Sequence, residues 1–339
     1  MSLSPHLSAP ALMLKQPHYL SRFVLQFCIA ILVVVAIAAC NDTTVKSNSA
    51  STENCRAIQH AMGETCVPLN PQRIVVLDSM MLENAIALDA KPVGSPLEYV
   101  MSPVSTEGIE DLGNVEAINI EKILALKPDL ILGLADSTAP YSQLSQIAPT
   151  VLVDFEHSGE WKEHFAFVGE VLGKSDKVEK VMSDYYQRIE EFKQSSDRDV
   201  REIKVSVVRI YPTQVNLYTK AGFPGTVLED VGLSRPPSQD LNLEETKSLT
   251  GDTIQYSISE EVIDKADGDA VFVVVGNWDE KIKEVLTSLK TDPLWSKLEA
   301  VQKGEVYEVG DYWIGTGVIA ANAVLDDLEK YFVILSMNE

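Results

Sequence analysis

Short apolar runs rich in β-branched residues, each followed by sequence with helical spacing, constrain this fold more than any other feature. Arg73-Ile74-Val75-Val76-Leu77-Asp78 reads as a buried strand. Met80 to Leu88 then has helical spacing, and Lys91-Pro92-Val93-Gly94 starts a second short strand. Asn119 can cap a helix through Leu126, which Lys127-Pro128 stops. Asp129 to Gly133 and Thr150 to Phe155 are further strands, with a helix from Tyr141 to Ile147 between them. Strands alternating with helices indicate parallel βα units covered on both faces.

The rhythm changes after residue 160. Trp161 to Phe192 is one long helical stretch, interrupted only near Gly173-Lys174-Ser175-Asp176. Its second half places Val178, Val181, Met182, Tyr185, Ile189 and Phe192 on one stripe. Such a helix either covers the first unit or connects two. A second βα set then follows. Ile203 to Ile210, Gln214 to Tyr218, Ala270 to Val275 and Glu305 to Val309 are strands. Thr226 to Val231, Ser259 to Lys265, Asp279 to Leu289 and Gly317 to Leu335 are helices. The expected architecture is α/β, with two Rossmann-like lobes joined by one long connecting helix. The first lobe spans residues 55–174, the connector 175–197 and the second lobe 198–339.

The N-terminus carries a different signal. Phe23 to Ala39 is almost wholly apolar, Lys15 and Arg22 precede it, and no acidic residue occurs before Asp42. A basic start, an apolar centre and small residues at the exit make a secretory signal over residues 1–39. The run is shorter than the roughly 20 apolar residues of a comfortable span. Its end, Ile37-Ala38-Ala39-Cys40, resembles a bacterial lipobox, in which cleavage leaves Cys40 as a lipid-modified N-terminus. The alternative is a signal anchor that stays uncleaved. Residues 40–54 are polar and read as a flexible tether. Cys55 and Cys66 form an even pair in an exported chain, which suggests a disulfide rather than two free thiols.

The formal charge of −22 disfavours nucleic acid or anionic lipid surfaces as partners. Beyond the signal only His60, His157 and His164 remain among histidines, without HExxH or paired metal-ligand spacing. There is no P-loop, no GxSxG nucleophile elbow and no GxGxxG after a strand. These absences point away from an enzyme and from a protein-ligated metal.

Ligands of open α/β sheets sit beyond the carboxyl ends of the strands. In the first half those ends carry Ser79, Met80, Ser95, Leu97, Leu134, Phe155 and Trp161. In the second half they carry Arg209, Tyr211, Asn277, Trp278, Tyr312 and Trp313. Arg209 would bind carboxylate or hydroxamate oxygens by charge-assisted bonds, and the aromatics would form apolar walls. Core packing is the alternative for each aromatic, and a structural ion pair for Arg209. Arg235, in Leu233-Ser234-Arg235-Pro236-Pro237, either overhangs the cleft or lies on the surface. The expected ligand-contact residues are Met80, Leu97, Phe155, Trp161, Arg209, Tyr211, Arg235, Trp278, Tyr312 and Trp313.

The lipobox, the tether, Arg73–Asp78, Ile120–Leu130 and the single connecting helix together resemble the substrate-binding lipoproteins of bacterial ABC importers for ferric siderophores and cobalamin. His60–Thr65, Gly222–Leu233 and Trp313–Gly317 resemble the ferric-citrate and hydroxamate branch. The resemblance covers roughly residues 55–335. It implies a class III periplasmic binding protein, monomeric, attached to the membrane only through its N-terminal lipid. Iron would be held wholly by the siderophore, so no cofactor or protein metal ligand is expected. It also implies one exposed acid per lobe that docks on permease arginines. Glu121 matches the first and Glu260 the second, with Glu261 the near alternative; a helix-capping charge is the other reading of each. The same scaffold binding cobalamin or haem is the first alternative, and an extracytoplasmic α/β enzyme the second.

Overall fold

The computed structural model describes residues 54–196, 199–276 and 280–334. The signal segment, Cys40 and all but the end of the tether lie outside the described residues. The chain begins with a hairpin, β1 (Cys55–His60) paired antiparallel with β2 (Gly63–Pro68). Cys55 and Cys66 form a disulfide within it, with Cα atoms 5.5 Å apart.

The first sheet contains β3 (Ile74–Val76), β4 (Gly94–Ser95), β5 (Glu110–Asp111), β6 (Leu130–Leu134) and β7 (Thr150–Val153). Their spatial order is β5-β4-β3-β6-β7, and every pair is parallel. Ile74, Val75 and Val76 are all buried because helices cover both faces. The disulfide hairpin docks against β7. Ala61 N donates to Leu152 O at 3.0 Å, and Leu152 N donates to His60 Nδ1 at 3.2 Å. That contact covers an edge strand which would otherwise present unpaired backbone groups.

Local chemistry sets the helix boundaries. Asp78 Oδ1 accepts from Met81 N at 2.8 Å and caps the helix Ser79–Ala87. Asn119 Oδ1 accepts from Lys122 N at 3.0 Å and caps Ile120–Leu126, which ends at Lys127 in the left-handed region before Pro128. The helix Trp161–Leu172 ends at Gly173, whose φ of 67° suits a residue without Cβ. The helix Ser175–Ser195 follows and is 21 residues long, about 30 Å. Tyr185, Ile189 and Phe192 are buried along it, and Val178, Val181 and Met182 pack partly buried on the same core.

The second sheet contains β8 (Val205–Ile210), β9 (Val215–Tyr218), β10 (Gln255–Ile258), β11 (Ala270–Val274) and β12 (Val306–Val309). Its order is β10-β9-β8-β11-β12. β8, β11 and β12 run parallel, while β9 is antiparallel to both of its neighbours. The helix Leu243–Thr250 and the strand β10 fall in a stretch where sequence periodicity gives no signal. Glu260–Ala266 is a 3₁₀ segment kinked at Val262 rather than the expected α-helix. The closing helix runs Val318–Glu329 and ends in a π-turn, Lys330–Ile334.

One hydrophobic core includes residues of both sheets. It joins Ile74, Val76 and Leu132 to Val205, Val207 and Phe272 through Trp161, Tyr185 and Phe223. Separate clusters fill the outer face of each sheet. The lobes therefore share packed apolar surface as well as a helix, which favours limited motion over wide opening. Among the described residues no helix is long and apolar enough to cross a membrane.

Candidate ligand-binding site

A cavity of about 340 Å³ lies at the carboxyl ends of β3 and β6. Leu77, Asp78, Tyr99, Glu116, Leu134 and Asp136 line it, among others. Strand geometry explains the placement, since Leu77 and Asp78 follow β3 directly and Asp136 follows β6. Thr138 Oγ1 donates to Val115 O at 2.9 Å and ties the two loops of this wall together. Burial pushes the Asp78 carboxyl up to about 7, and nearby Asp136 pushes in the same direction.

In the second lobe a cavity of about 560 Å³ is bounded by Tyr211, Gln214, Asn216, Leu249, Asp252 and Tyr256, among others. Its floor is polar and preorganised. Asn216 Nδ2 donates to Gln255 Oε1 at 3.0 Å, and Ser257 Oγ donates to Asn216 Oδ1 at 2.8 Å. Arg209 sits beside it, directly opposite Asn216 across the β8–β9 pair. Its Nη1 donates to Tyr218 OH at 3.1 Å, and its guanidinium lies 4.4 Å from the Tyr211 ring centroid. Both contacts fix the orientation of the fork.

The expected contact residues divide into two groups. Tyr211 lines the second cavity, and Arg209 lies behind that lining, over the Tyr211 ring. Phe155 follows β7, is 37% exposed, and packs on His164 with ring centroids 5.5 Å apart. Leu97 and Tyr312 are half-buried against the core, and Tyr312 OH donates to Asp327 Oδ2 at 2.8 Å. Trp278 lies outside the described residues.

Four expectations are corrected. Met80 is a core residue, because it occupies the inward face of the first helical turn. Trp161 is fully enclosed, and its Nε1 donates to Thr226 Oγ1 at 3.0 Å. Trp313 is also fully enclosed. The 3₁₀ turn Asp311–Ile314 rotates its ring onto Phe272, with centroids 4.2 Å apart, and its Nε1 donates to Asp327 Oδ2 at 2.8 Å. Arg235 is neither overhanging nor superficial. It is buried, donates from Nη2 to Tyr218 O at 2.7 Å and to Gln239 Oε1, and is pushed down to about 9 by burial.

Sequence reasoning missed Asp78, Tyr99, Glu116 and Asp136 on the first wall, and Gln214, Asn216 and Leu249 on the second. Asp78 was findable as the residue that ends a strand and begins a helix. The others occupy loops or edge positions that carry no period. Glu121, second in its helix, is exposed, and so are Glu260 and Glu261 at the start of their 3₁₀ segment. A hydrogen bond with Ser259 holds the Glu261 carboxyl below the usual carboxylate range. Among the described residues no group of three or more His, Cys, Asp or Glu side chains could hold a metal ion.

A family model described as periplasmic binding protein matches residues 74–312. The chain belongs to the periplasmic binding protein family. This is a family of substrate-binding proteins, not of enzymes. A Bacillus subtilis relative named as a probable siderophore-binding lipoprotein (YfiY) is 33% identical, over 89% of this chain and 96% of its own length. The Fe(3+)-citrate-binding protein YfmC of the same organism is 26% identical, over 87% of this chain and 92% of its own length. Among solved structures, Staphylococcus aureus SirA complexed with staphyloferrin B is similar with a TM-score of 0.69 at 26% identity, covering 81% of this chain and 98% of that one. Bacillus subtilis FeuA, complexed with ferri-bacillibactin, shares the fold with a TM-score of 0.65 at 24% identity, covering 82% and 98%. Two α/β lobes joined by a single long helix make this periplasmic binding protein one of class III.

Proposed function

We propose that this protein captures a ferric siderophore outside the cytoplasm and delivers it to an ABC permease for iron uptake. The observation that carries the reading is the near full-length match to a relative named as siderophore-binding. A lipid on Cys40 holds the protein at the membrane, and the polar tether lets the two lobes stand off it. Iron enters already chelated, so the protein supplies shape, hydrogen bonds and charge. Arg209 and the Asn216–Gln255 network address chelate oxygens, while Tyr99, Phe155, Tyr211 and Leu249 provide apolar surface. The shared core permits only a small closure around the ligand. Glu121 and Glu260 then present one acid per lobe to permease arginines, where rim charges steer and orient.

Native mass spectrometry of protein purified from its own host tests this. A retained mass equal to an iron chelate is the expected result. A retained cobalamin or haem would replace the siderophore reading with that ligand. Titration of the emptied protein with ferric chelates should then restore the complex.

A further inference from the structure

We propose that the first-lobe wall selects ferric chelates of zero or positive net charge and rejects multiply anionic ones, with Glu116 and Asp136 as the selecting residues. The inference rests on the siderophore-binding reading above and narrows its substrate class. The cavity at the ends of β3 and β6 is lined by three carboxylates, Asp78, Glu116 and Asp136, and by no Lys, Arg or His. Among the described residues none of the three forms an ion pair. The field of exposed Glu116 and Asp136 is therefore not cancelled locally. Tyr99, 47% exposed at the same wall, feels it: its phenol is pushed up by Glu98 and also by Glu116.

A second observation points to a ligand at this wall. Asp78 Oδ1 is occupied in capping its helix. Asp78 Oδ2 is closed off from solvent and has no partner in strict hydrogen-bond geometry, although the backbone N–H groups of Leu134 and Met80 act on the carboxyl. A buried oxygen without a partner is costly unless a bound group satisfies it. A ligand amide, hydroxyl or ammonium would do so, whereas a carboxylate or catecholate oxygen would meet the charge of Glu116 and Asp136. The second-lobe cavity adds Asp252, and its lining residue Tyr211 carries the Arg209 guanidinium on its ring. A chelate with an uncharged or cationic arm toward Asp78, Glu116 and Asp136 fits this wall. Hydroxamate chelates have that character. Ferric dicitrate, with several free negative charges, does not.

The test is isothermal titration of the mature protein with ferrioxamine B, a singly cationic ferric trihydroxamate, and with ferric dicitrate. Both are measured on the wild type and on a Glu116→Gln, Asp136→Asn variant. Both side chains are exposed and make no hydrogen bond that holds the fold, so the variant should remain folded. The wild type should bind the cationic chelate at least about 100-fold more tightly, with affinity that falls as salt is added. In the variant the ratio should shrink about tenfold or more, chiefly through tighter binding of the anionic chelate. Equal or tighter wild-type binding of ferric dicitrate would overturn the inference and leave the siderophore function standing. A charge preference unchanged in the variant would remove Glu116 and Asp136 as its cause and overturn the inference as well. Failure of every ferric chelate to bind would instead reject the underlying function, and the inference with it.

Discussion

Trp161 donates its indole N–H to Thr226 Oγ1 at 3.0 Å, joining a helix that precedes the connecting helix to one that follows it. The ring packs edge-on against Tyr185 and Phe223, with centroids 5.6 and 5.9 Å away. Nearby, Lys162 pairs with Asp230 at 2.6 Å, and Asp230 also accepts from Tyr185 OH at 2.9 Å. The seam between the lobes is thus a packed aromatic centre with a polar margin.

Truncation at that seam should be expensive. Trp161→Ala is expected to lower stability by about 3–5 kcal/mol, the usual range for a large aromatic in a core. Thr226→Val should cost about 1–3 kcal/mol by stranding the indole N–H. Urea denaturation measures both. Chelate affinity of the Thr226→Val variant should stay close to wild type, since the ring lies inside the core.

The hairpin offers a second test. Cys55 and Cys66 close a short loop that caps β7, so replacing both with Ser should remove about 2–3 kcal/mol. Ligand affinity should be unaffected, because the hairpin packs on the sheet edge. A large loss of binding would show that the hairpin shapes the ligand site.

Asp78 makes stability depend on pH. Its carboxyl is raised from 3.8 to about 7 by burial. The folded state therefore holds more protons than the unfolded chain between those values, and stability should fall as pH rises from about 4 to about 7. Asp136 is the charged group that acts on it, and it adds to the rise. Buried Glu83 is raised for the same reason and contributes a slope of the same sign. Asp78→Asn keeps an acceptor for Met81 N and should flatten the profile, leaving the Glu83 part. Denaturation midpoints across that range read the difference; parallel profiles for the two proteins would refute it.

Arg209 should matter for binding more than for folding. Arg209→Ala is expected to weaken chelate binding by about 2–5 kcal/mol if the fork meets ligand oxygens in a desolvated site. Arg209→Lys should recover little, because an ammonium cannot both stack on Tyr211 and present a planar pair of donors. Unchanged affinity in a folded Arg209→Ala protein would remove this residue from the site.

Delivery can be separated from capture. The Glu121→Lys, Glu260→Lys double variant should bind chelate normally and fail to support uptake in cells. Each single reversal should give partial loss. Normal uptake by the double variant would leave these acids as helix-terminal charges only.

The chain's own periodicities determined much of this protein. Apolar runs marked Ile74–Val76, Val205–Ile210 and Ala270–Val274 as buried strands, and the stripe through Tyr185, Ile189 and Phe192 marked the long helix. Asn119 and Lys127-Pro128 bounded a helix by chemistry confined to neighbours. Only tertiary structure decided the fates of Trp161, Trp313 and Arg235. Sequence position allowed each a place at a strand end or in a loop, but Thr226, Asp327 and Gln239 wait inside to accept a hydrogen bond from each. A buried N–H is tolerated only where a partner exists, and those partners come from other elements of the fold. The acidic wall is a further case: Asp78, Glu116 and Asp136 sit in separate loops that only the β3–β6 pairing and its neighbours bring to one cavity. Local sequence sets backbone and face, while the meeting of distant side chains requires the packed sheet.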